Sequence, residues 1–274
     1  MGGSRVFCRT RLRYVTAEGE VEVDVRDGRR SSLPGWEECG FELAPHRSEV
    51  TDWSDDDQVS GIHHGEIEAL ARSMTGADVA LVGNHIRRSP ESARQHQQLS
   101  PITFVHSDFA AGYDSIVRSS YYGADRPGGL AALERNGIDA DAVRDAERIV
   151  ILQFWRNVGE PRMDYPLAWC DARTVSVSQG RPFHVSNYAG TGAEFDALGV
   201  ATWSTAAGEV PHAWYAFPSL LADSETVAFR TYDTEMVAAG STFFTPHSAF
   251  RDPSVPVGRP ARSSIELRAI CLFG

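Results

Sequence analysis

The stretch Ile149–Trp155, which reads IVILQFW, is a strongly apolar run and predicts a buried β-strand. After it the pattern becomes almost entirely β, with short segments roughly 8–15 residues apart and Gly, Pro or Asp turns between them. These segments are residues 165–170, 174–177, 200–204, 213–217, 226–232, 241–245 and 264–273. Such a series predicts a sandwich or a double-sheet jelly roll.

The residues before this run add a hairpin and helices. Residues 5–16 and 21–25 have the alternation of two strands joined by a turn. Residues 64–74 and 128–148 have helical periodicity, the second with a break at Asn136-Gly137. Short strands are predicted at residues 79–83 and 102–106, and loops at residues 28–45 and 89–100.

Together these patterns predict an α+β fold that is mainly β, with helices flanking a jelly-roll core. No Pro- or Gly-rich linker divides the sequence. We therefore expect a single domain over residues 1–274, with the hairpin and helical layer in residues 1–150 and the β core in approximately residues 80–274.

The charge composition excludes several classes of function. All 26 basic residues are arginines, so Schiff-base lysine chemistry and a phosphate-loop lysine are excluded. The net charge of −11 disfavours nucleic acid and anionic membrane surfaces as partners. No apolar run approaches the ~20 residues of a membrane span. The four cysteines are widely spaced without a CxxC motif, which favours a cytoplasmic protein over a secreted disulfide scaffold.

The tripeptide His106-Ser107-Asp108 ends the predicted strand at residues 102–106. Residues i and i+2 of a strand point to the same face, so His106 and Asp108 project together. They are two of the three ligands of a 2-His-1-carboxylate iron site. The third ligand is sought among three later histidines, His184, His212 and His247.

Arg262 and Ser264 favour His247 as the third ligand. They lie on one face of the predicted final strand, the first of them fifteen residues after His247, where a guanidinium and a hydroxyl can clamp one carboxylate. His212 remains the rival, although no RxS motif follows it at that distance.

The order HxD…H…RxS resembles the motif set of Fe(II)/2-oxoglutarate oxygenases with a double-stranded β-helix fold. Longer strings over roughly residues 80–274 are similar to a narrower family, that of the cephamycin 7α-methoxylation hydroxylase component, the gibberellin desaturase and the meroterpenoid endoperoxide synthase. Those strings are residues 104–108, 155–156, 164–168, 170–173, 212–218, 229–233, 247–253 and 262–268.

The resemblance implies Fe(II), 2-oxoglutarate and O2 as cofactor and cosubstrates, and a small molecule of natural-product biosynthesis as substrate. It implies that His106, Asp108 and His247 bind the iron, and that Arg262 and Ser264 hold the distal carboxylate of 2-oxoglutarate. The carboxylate ligand Asp108 makes halogenation unlikely, because the iron halogenases of this superfamily carry a small residue there. Hydroxylation, desaturation and ring formation stay open.

Six further residues are candidates for contact with the substrate. His85 and Arg87 follow a strand end, Arg156 follows a very apolar strand, and Arg268 shares the parity of Arg262 and Ser264. Tyr113 would belong to a lid with Tyr121 and Tyr122, and His212 would face the substrate if it is not a ligand. The six are His85, Arg87, Tyr113, Arg156, His212 and Arg268.

Two alternatives to a 2-oxoglutarate oxygenase remain at this point. One is a cupin-type metalloenzyme that uses His106, Asp108 and His212 or His247 without 2-oxoglutarate. The other is a non-catalytic jelly-roll binding module, for which no tight metal site is expected.

Overall fold

Two mostly antiparallel sheets form the centre of the protein, as seen in a computed structural model that describes residues 5–15, 19–119, 127–256 and 261–274. The larger sheet has the strand order β1-β2-β11-β8-β13-β6-β10-β9, and the smaller has the order β3-β12-β7-β14-β4, with β5 also paired to β14. The strands are β1 (Val6–Arg13), β2 (Glu20–Asp27), β3 (Phe41–Pro45), β4 (Val79–Leu81), β5 (His85–Arg88), β6 (His106–Ser107), β7 (Arg148–Asn157), β8 (Leu167–Cys170), β9 (Gly180–Tyr188), β10 (Ala193–Val200), β11 (Trp214–Ala216), β12 (Glu225–Asp233), β13 (His247–Ala249) and β14 (Ser264–Phe273).

Helices flank the two sheets. They are α1 (Trp36–Cys39), α2 (Asp56–Gln58), α3 (His64–Thr75), α4 (Pro90–Gln95), α5 (Tyr113–Ser119), α6 (Pro127–Asn136), α7 (Ala140–Asp145) and α8 (Thr234–Ala238). Helix α3 packs on the face of the smaller sheet that is turned away from the larger one. It continues from a π-helical turn at Val59–His63 and ends at Gly76, whose φ of 70° suits a residue without a side chain. In the described ranges, no helix is long and apolar enough to cross a membrane.

The alternation of β7 explains the layers. Ile149 and Ile151 pack between the two sheets, whereas Val150, Leu152 and Phe154 face outward. The outward residues meet the apolar side of α3 in a second core. A central strand buried on both faces reads as a continuous apolar run, which is why its sequence is so distinctive.

These observations confirm the predicted fold class, a mainly β protein with flanking helices and a jelly-roll core. The N-terminal hairpin, α3, β7 and β14 lie where they were expected, and the 128–148 pattern forms α6 and α7 with the break between them. The turn predicted between the first two strands falls partly on residues 16–18, outside the described residues.

Several predicted elements are wrong. Residues 174–177 and 241–245 form no strand, and residues 102–105 make only isolated contacts before β6 begins. The predicted loop at residues 89–100 contains α4. The predictions also miss β3, β5, β9 and most of β10. Strand β9 was not predicted because it is an exposed edge strand, and its largely polar sequence lacks a clear alternation of apolar and polar residues.

Candidate metal centre

Two histidines and an aspartate converge at one end of the space between the sheets. His106 on β6 and His247 on β13 are direct partners across adjacent strands, and their ring centroids are 4.3 Å apart. Asp108 follows two residues after His106, and its Oδ1 lies 3.9 Å from His106 Nε2 and 3.8 Å from His247 Nε2. All three side chains are buried, and their ligand atoms lie within 4.8 Å of one another.

Backbone carbonyls set the orientation of both imidazoles. The Nδ1 of His106 lies 2.8 Å from the carbonyl oxygen of Phe104, and that of His247 lies 3.1 Å from the carbonyl oxygen of Thr245. A carbonyl can only accept, so each Nδ1 carries the proton and donates it. Each Nε2 is therefore left with a free lone pair that points toward Asp108.

Burial keeps these histidines neutral. It lowers the pKa of His106 to about 3, with a further contribution from the neighbouring His247, and it lowers the pKa of His247 as well. Two neutral imidazoles and one carboxylate are the donor set of a non-haem Fe(II) site. The residues present fit that metal.

Asp108 uses its two oxygens differently. Oδ1 faces the two histidines, whereas Oδ2 accepts hydrogen bonds from Nε and Nη2 of Arg268 at 3.2 and 2.8 Å. Burial alone would raise the pKa of Asp108, but Arg268 and the two histidines outweigh it and hold that pKa well below the usual range. The carboxylate is thus ionised and oriented.

Arg262 reaches the same space from the opposite sheet. Its Nε donates to Ser264 Oγ at 2.9 Å, and its guanidinium lies 5.0 Å from the ring centroid of Trp155. Its Nη1 is buried without a hydrogen-bond partner among the described residues. Burial, together with the nearby Arg88, lowers the pKa of Arg262 to about 9. A buried and unpaired guanidinium nitrogen beside a metal-ligand set fits the carboxylate of a chelating cosubstrate.

Two polar residues of this site, Gln153 and Glu266, were missed in the sequence. The buried amide oxygen Oε1 of Gln153 has no partner among the described residues, and Glu266 accepts from Arg88, the neighbour of the predicted Arg87, at 3.2 and 2.9 Å. Signals for both existed. Gln153 is the one polar residue within the run at 149–155, and Glu266 has the same parity as Ser264 on β14.

A cavity of about 410 Å³ opens beside His106 and Asp108. Its wall is mainly apolar, with Phe104, Phe183 and Phe195 among its residues. A second cavity of about 500 Å³ shares Tyr188, Phe195 and Arg268 with the first. Both volumes are typical of pockets for small molecules.

Two of the predicted substrate-binding residues lie elsewhere. Arg156 is on the outward face of β7, where it donates to the carbonyl oxygens of Ala222 and His46 at 2.6 and 3.1 Å. His212 has both ring nitrogens occupied, since Nδ1 lies 3.0 Å from Tyr14 Oη and Nε2 lies 3.3 Å from Gln179 Oε1. Neither residue is among those that line the two cavities, and the structure groups His247 rather than His212 with His106 and Asp108.

The remaining predicted residues lie nearer the site. His85, Arg87 and Tyr113 line the second cavity. Arg87 lies on the outward face of β5, where it donates to the carbonyl oxygens of Trp53 and Ser54. Its side chain therefore does not reach the metal ligands. Arg268 lines both cavities and also contacts Asp108. The other tyrosines of the possible lid, Tyr121 and Tyr122, fall outside the described residues.

His184, the remaining candidate ligand, lies on the exposed edge strand β9. Its ring nitrogens are each 3.0 Å from a carboxylate oxygen, Nδ1 from Asp196 and Nε2 from Glu194. These partners raise the pKa of His184. It takes no part in the metal centre.

The buried histidines predict a loss of stability in acid. Burial lowers the pKa of His212 to about 4 and that of His64 to about 3, from 6.5. The unfolded chain takes up these protons below pH 6.5 while the folded chain does not, so the free energy of unfolding falls from about pH 6.5 toward pH 4. For His212→Gln we expect the fall between pH 6 and 5 to shrink by up to ~1.4 kcal/mol.

Denaturant titration at pH 7, 6 and 5 measures this effect. His184→Gln is the control, because the raised pKa of His184 contributes in the opposite sense and its removal should not reduce the acid loss. Equal acid dependence in wild type and His212→Gln would contradict the prediction.

Comparisons with known proteins agree with this geometry. A family model described as "Oxidoreductase/YMDC permease-like domain" matches residues 9–272. The chain belongs to this oxidoreductase family. It is 23% identical to the Fe(II)/2-oxoglutarate-dependent dioxygenase nvfI of Aspergillus novofumigatus, over the whole length of both chains. It is 27% identical to the alpha-ketoglutarate-dependent dioxygenase phiK of a fungal species (strain ATCC 74256), over 86% of this chain and 79% of that one.

A solved structure shares the fold of this oxidoreductase. The iron and alpha-ketoglutarate-dependent endoperoxidase NvfI superposes with a TM-score of 0.71 at 21% identity, covering 99% of this chain and 100% of that one. The resemblance to Fe(II)/2-oxoglutarate-dependent oxygenases and the prediction of an oxidoreductase are thus confirmed.

Proposed function

We propose that the protein, as a single domain, uses Fe(II), 2-oxoglutarate and O2 to oxidise an unactivated C–H bond of a small molecule in natural-product biosynthesis. The observation that carries the proposal is the position of His106, Asp108 and His247 beside Nη1 of Arg262, which is buried and has no hydrogen-bond partner in the part of the chain that the structure describes. The donor set suits ferrous iron, and the guanidinium suits the far carboxylate of a keto diacid that chelates it.

The roles of the residues follow from their contacts. His106, Asp108 and His247 would hold the iron, which together with 2-oxoglutarate and O2 supplies the oxidising power when bound. Arg262 would bind the distal carboxylate of 2-oxoglutarate, and Ser264 orients Arg262 by accepting from its Nε. The apolar neighbours Trp155 and Leu167 keep water from the cosubstrate, which strengthens each of these polar contacts.

We place the substrate in the cavity of about 410 Å³, because this cavity reaches His106 and Asp108 directly. Its aromatic and aliphatic residues suit a largely apolar molecule, and polar residues of its lining, such as Gln97, Gln98 and Thr103, would orient a polar group of that molecule. The second cavity, with His85, Arg87 and Tyr113, would receive the remainder of a longer substrate. Hydroxylation, desaturation and ring formation are all compatible outcomes.

A cytoplasmic location is part of this proposal. All four cysteines are free and three of them are buried. Unpaired thiols are typical of reducing compartments.

An anaerobic spectrum tests the function. Fe(II) is added to metal-free protein and then 2-oxoglutarate, and the visible absorption is recorded after each addition. We expect a weak lilac charge-transfer band only when both are present, because the keto acid must chelate bound iron to produce it. Fe(II) alone and 2-oxoglutarate alone are the controls.

The other outcomes separate the alternatives. Iron binding without the band would favour a cupin-type enzyme that does not use 2-oxoglutarate. Absence of iron binding would contradict the metal centre and favour a non-catalytic binding module.

A further inference from the structure

Arg268 contacts a metal ligand and not only the cavity. We infer that Arg268 is a positioning residue that fixes Asp108 with Oδ1 toward the metal. The inference rests on the proposed function, because it assigns a role to one more residue of the same site. Arg268 lies on β14 of the smaller sheet, and Asp108 follows β6 of the larger one, so the contact joins the two sheets at the site.

The first argument is that the two carboxylate oxygens of Asp108 have different neighbours. Oδ2 receives two hydrogen bonds from Arg268, at 3.2 and 2.8 Å, while Oδ1 receives none of them. Both histidine Nε2 atoms are within 4 Å of Oδ1. The two oxygens are chemically equivalent, so a half-turn of the carboxylate restores the same contacts, whereas any smaller rotation breaks both bonds. The pair therefore fixes the plane of the carboxylate, with one oxygen toward Arg268 and the other toward the metal position.

The rigidity of Arg268 is the second argument. Its guanidinium lies 5.4 Å from the ring centroid of Phe109, and its side chain is largely buried. Phe109 is in turn stacked on Tyr113, with 3.7 Å between ring centroids. A planar fork held on an aromatic face fixes its partner in a way that a flexible ammonium does not.

The third argument is that Asp108, beside a bound metal, needs no second cation to neutralise its carboxylate. A divalent metal beside Asp108 already compensates the carboxylate, and a guanidinium nearby repels that metal. The positive charge of Arg268, taken alone, is therefore unfavourable for metal binding at this place. Its presence is accounted for by orientation, since partners of metal ligands commonly contribute 10- to 100-fold to metal affinity.

The test is decisive because a positioning role and a repelling charge predict opposite changes in Co(II) affinity when Arg268 is replaced. Co(II) is titrated into metal-free wild type, Arg268→Gln and Arg268→Lys, and its dissociation constant is read from the visible d–d bands. If Arg268 positions Asp108, Arg268→Gln should bind Co(II) about 10- to 100-fold more weakly. The Co(II) affinity of Arg268→Lys should lie between those of wild type and Arg268→Gln, because lysine keeps one donor but not the planar fork of arginine.

Arg148→Gln is a matched control. Arg148 also donates with Nε and Nη2 to one carboxylate, that of Asp233, at 3.2 Å to Oδ1 and 2.7 Å to Oδ2, at the far end of β7 from Arg262. Loss of that pair tests the effect of a broken Arg–Asp contact away from the metal. We expect Arg148→Gln to bind Co(II) as wild type does.

Each outcome has one meaning. Unchanged or tighter Co(II) binding by Arg268→Gln would overturn the inference, since tighter binding is what removal of a repelling charge predicts. If Arg268→Gln does not fold, as judged by its thermal transition, Arg268→Lys decides alone, and wild-type affinity there overturns the inference. Failure of the wild type to bind Co(II) would instead contradict the proposed function.

Discussion

Replacing His247 with alanine is expected to remove the metal and to lower the rate of oxidation at least 1,000-fold, or ~4 kcal/mol, because the reactive centre is lost. In the proposed centre His247 would supply one of three ligand atoms, and its Nε2 is 3.8 Å from Asp108 Oδ1. The imidazole of His247 is already neutral and oriented for metal binding in the folded protein. We therefore expect no change of protonation or side-chain rotamer to compensate for its loss. Iron content after gel filtration and succinate formation measure the result.

His212→Ala is the matched control for this variant. It too removes a buried histidine, but one whose nitrogens contact Tyr14 and Gln179 instead of the metal ligands. We expect His212→Ala to cost stability and to keep iron. Loss of iron in His212→Ala with retention in His247→Ala would reverse the assignment of the third ligand.

Replacing Arg262 with alanine is expected to raise the 2-oxoglutarate concentration needed for half-maximal rate about 100-fold. A charge-assisted pair in a buried site contributes about 1.5–3 kcal/mol, and its loss leaves the carboxylate of the cosubstrate without a partner. The metal ligands are untouched, so iron binding should remain. The half-saturating concentrations of 2-oxoglutarate and the iron content are the two measurements.

Two further variants sharpen this result. Arg262→Lys should recover part of the affinity, because an ammonium restores the charge but not the two-pronged geometry. Ser264→Ala should have a smaller effect, since it removes only the acceptor of Arg262 Nε. An unchanged requirement for 2-oxoglutarate in Arg262→Ala would move this role to Arg88 or Arg268, the other buried arginines of the site.

Strand parity decided how much of the site the sequence predicted. His106 with Asp108, and Arg262 with Ser264, are each two residues apart, and the structure brings both pairs to one place, although Asp108 lies just after β6 and Arg262 two residues before β14. Within β7 the same rule places Arg156 outside, since Gln153 and Trp155 face inward.

Other choices could not be settled by parity. The choice between Arg87 and Arg88 depends on where β5 begins after Gly83, and a boundary error of one residue exchanges the two faces. The choice between His212 and His247 depends on long-range strand pairing, because each lies at the start of a short β segment. Only the pairing of β13 with β6 brings His247 opposite His106.

The pairing of His106 with His247 has a consequence for the timing of metal acquisition. The ligands are distant in the chain and become neighbours only when β13 is added next to β6. A nascent chain that has reached Asp108 but not His247 offers one imidazole and one carboxylate, too few to retain ferrous iron against cellular chelators. At the proposed centre, iron insertion would thereby be deferred until the sheets have closed, and a ribosome-bound fragment that ends before His247 would gain no iron there.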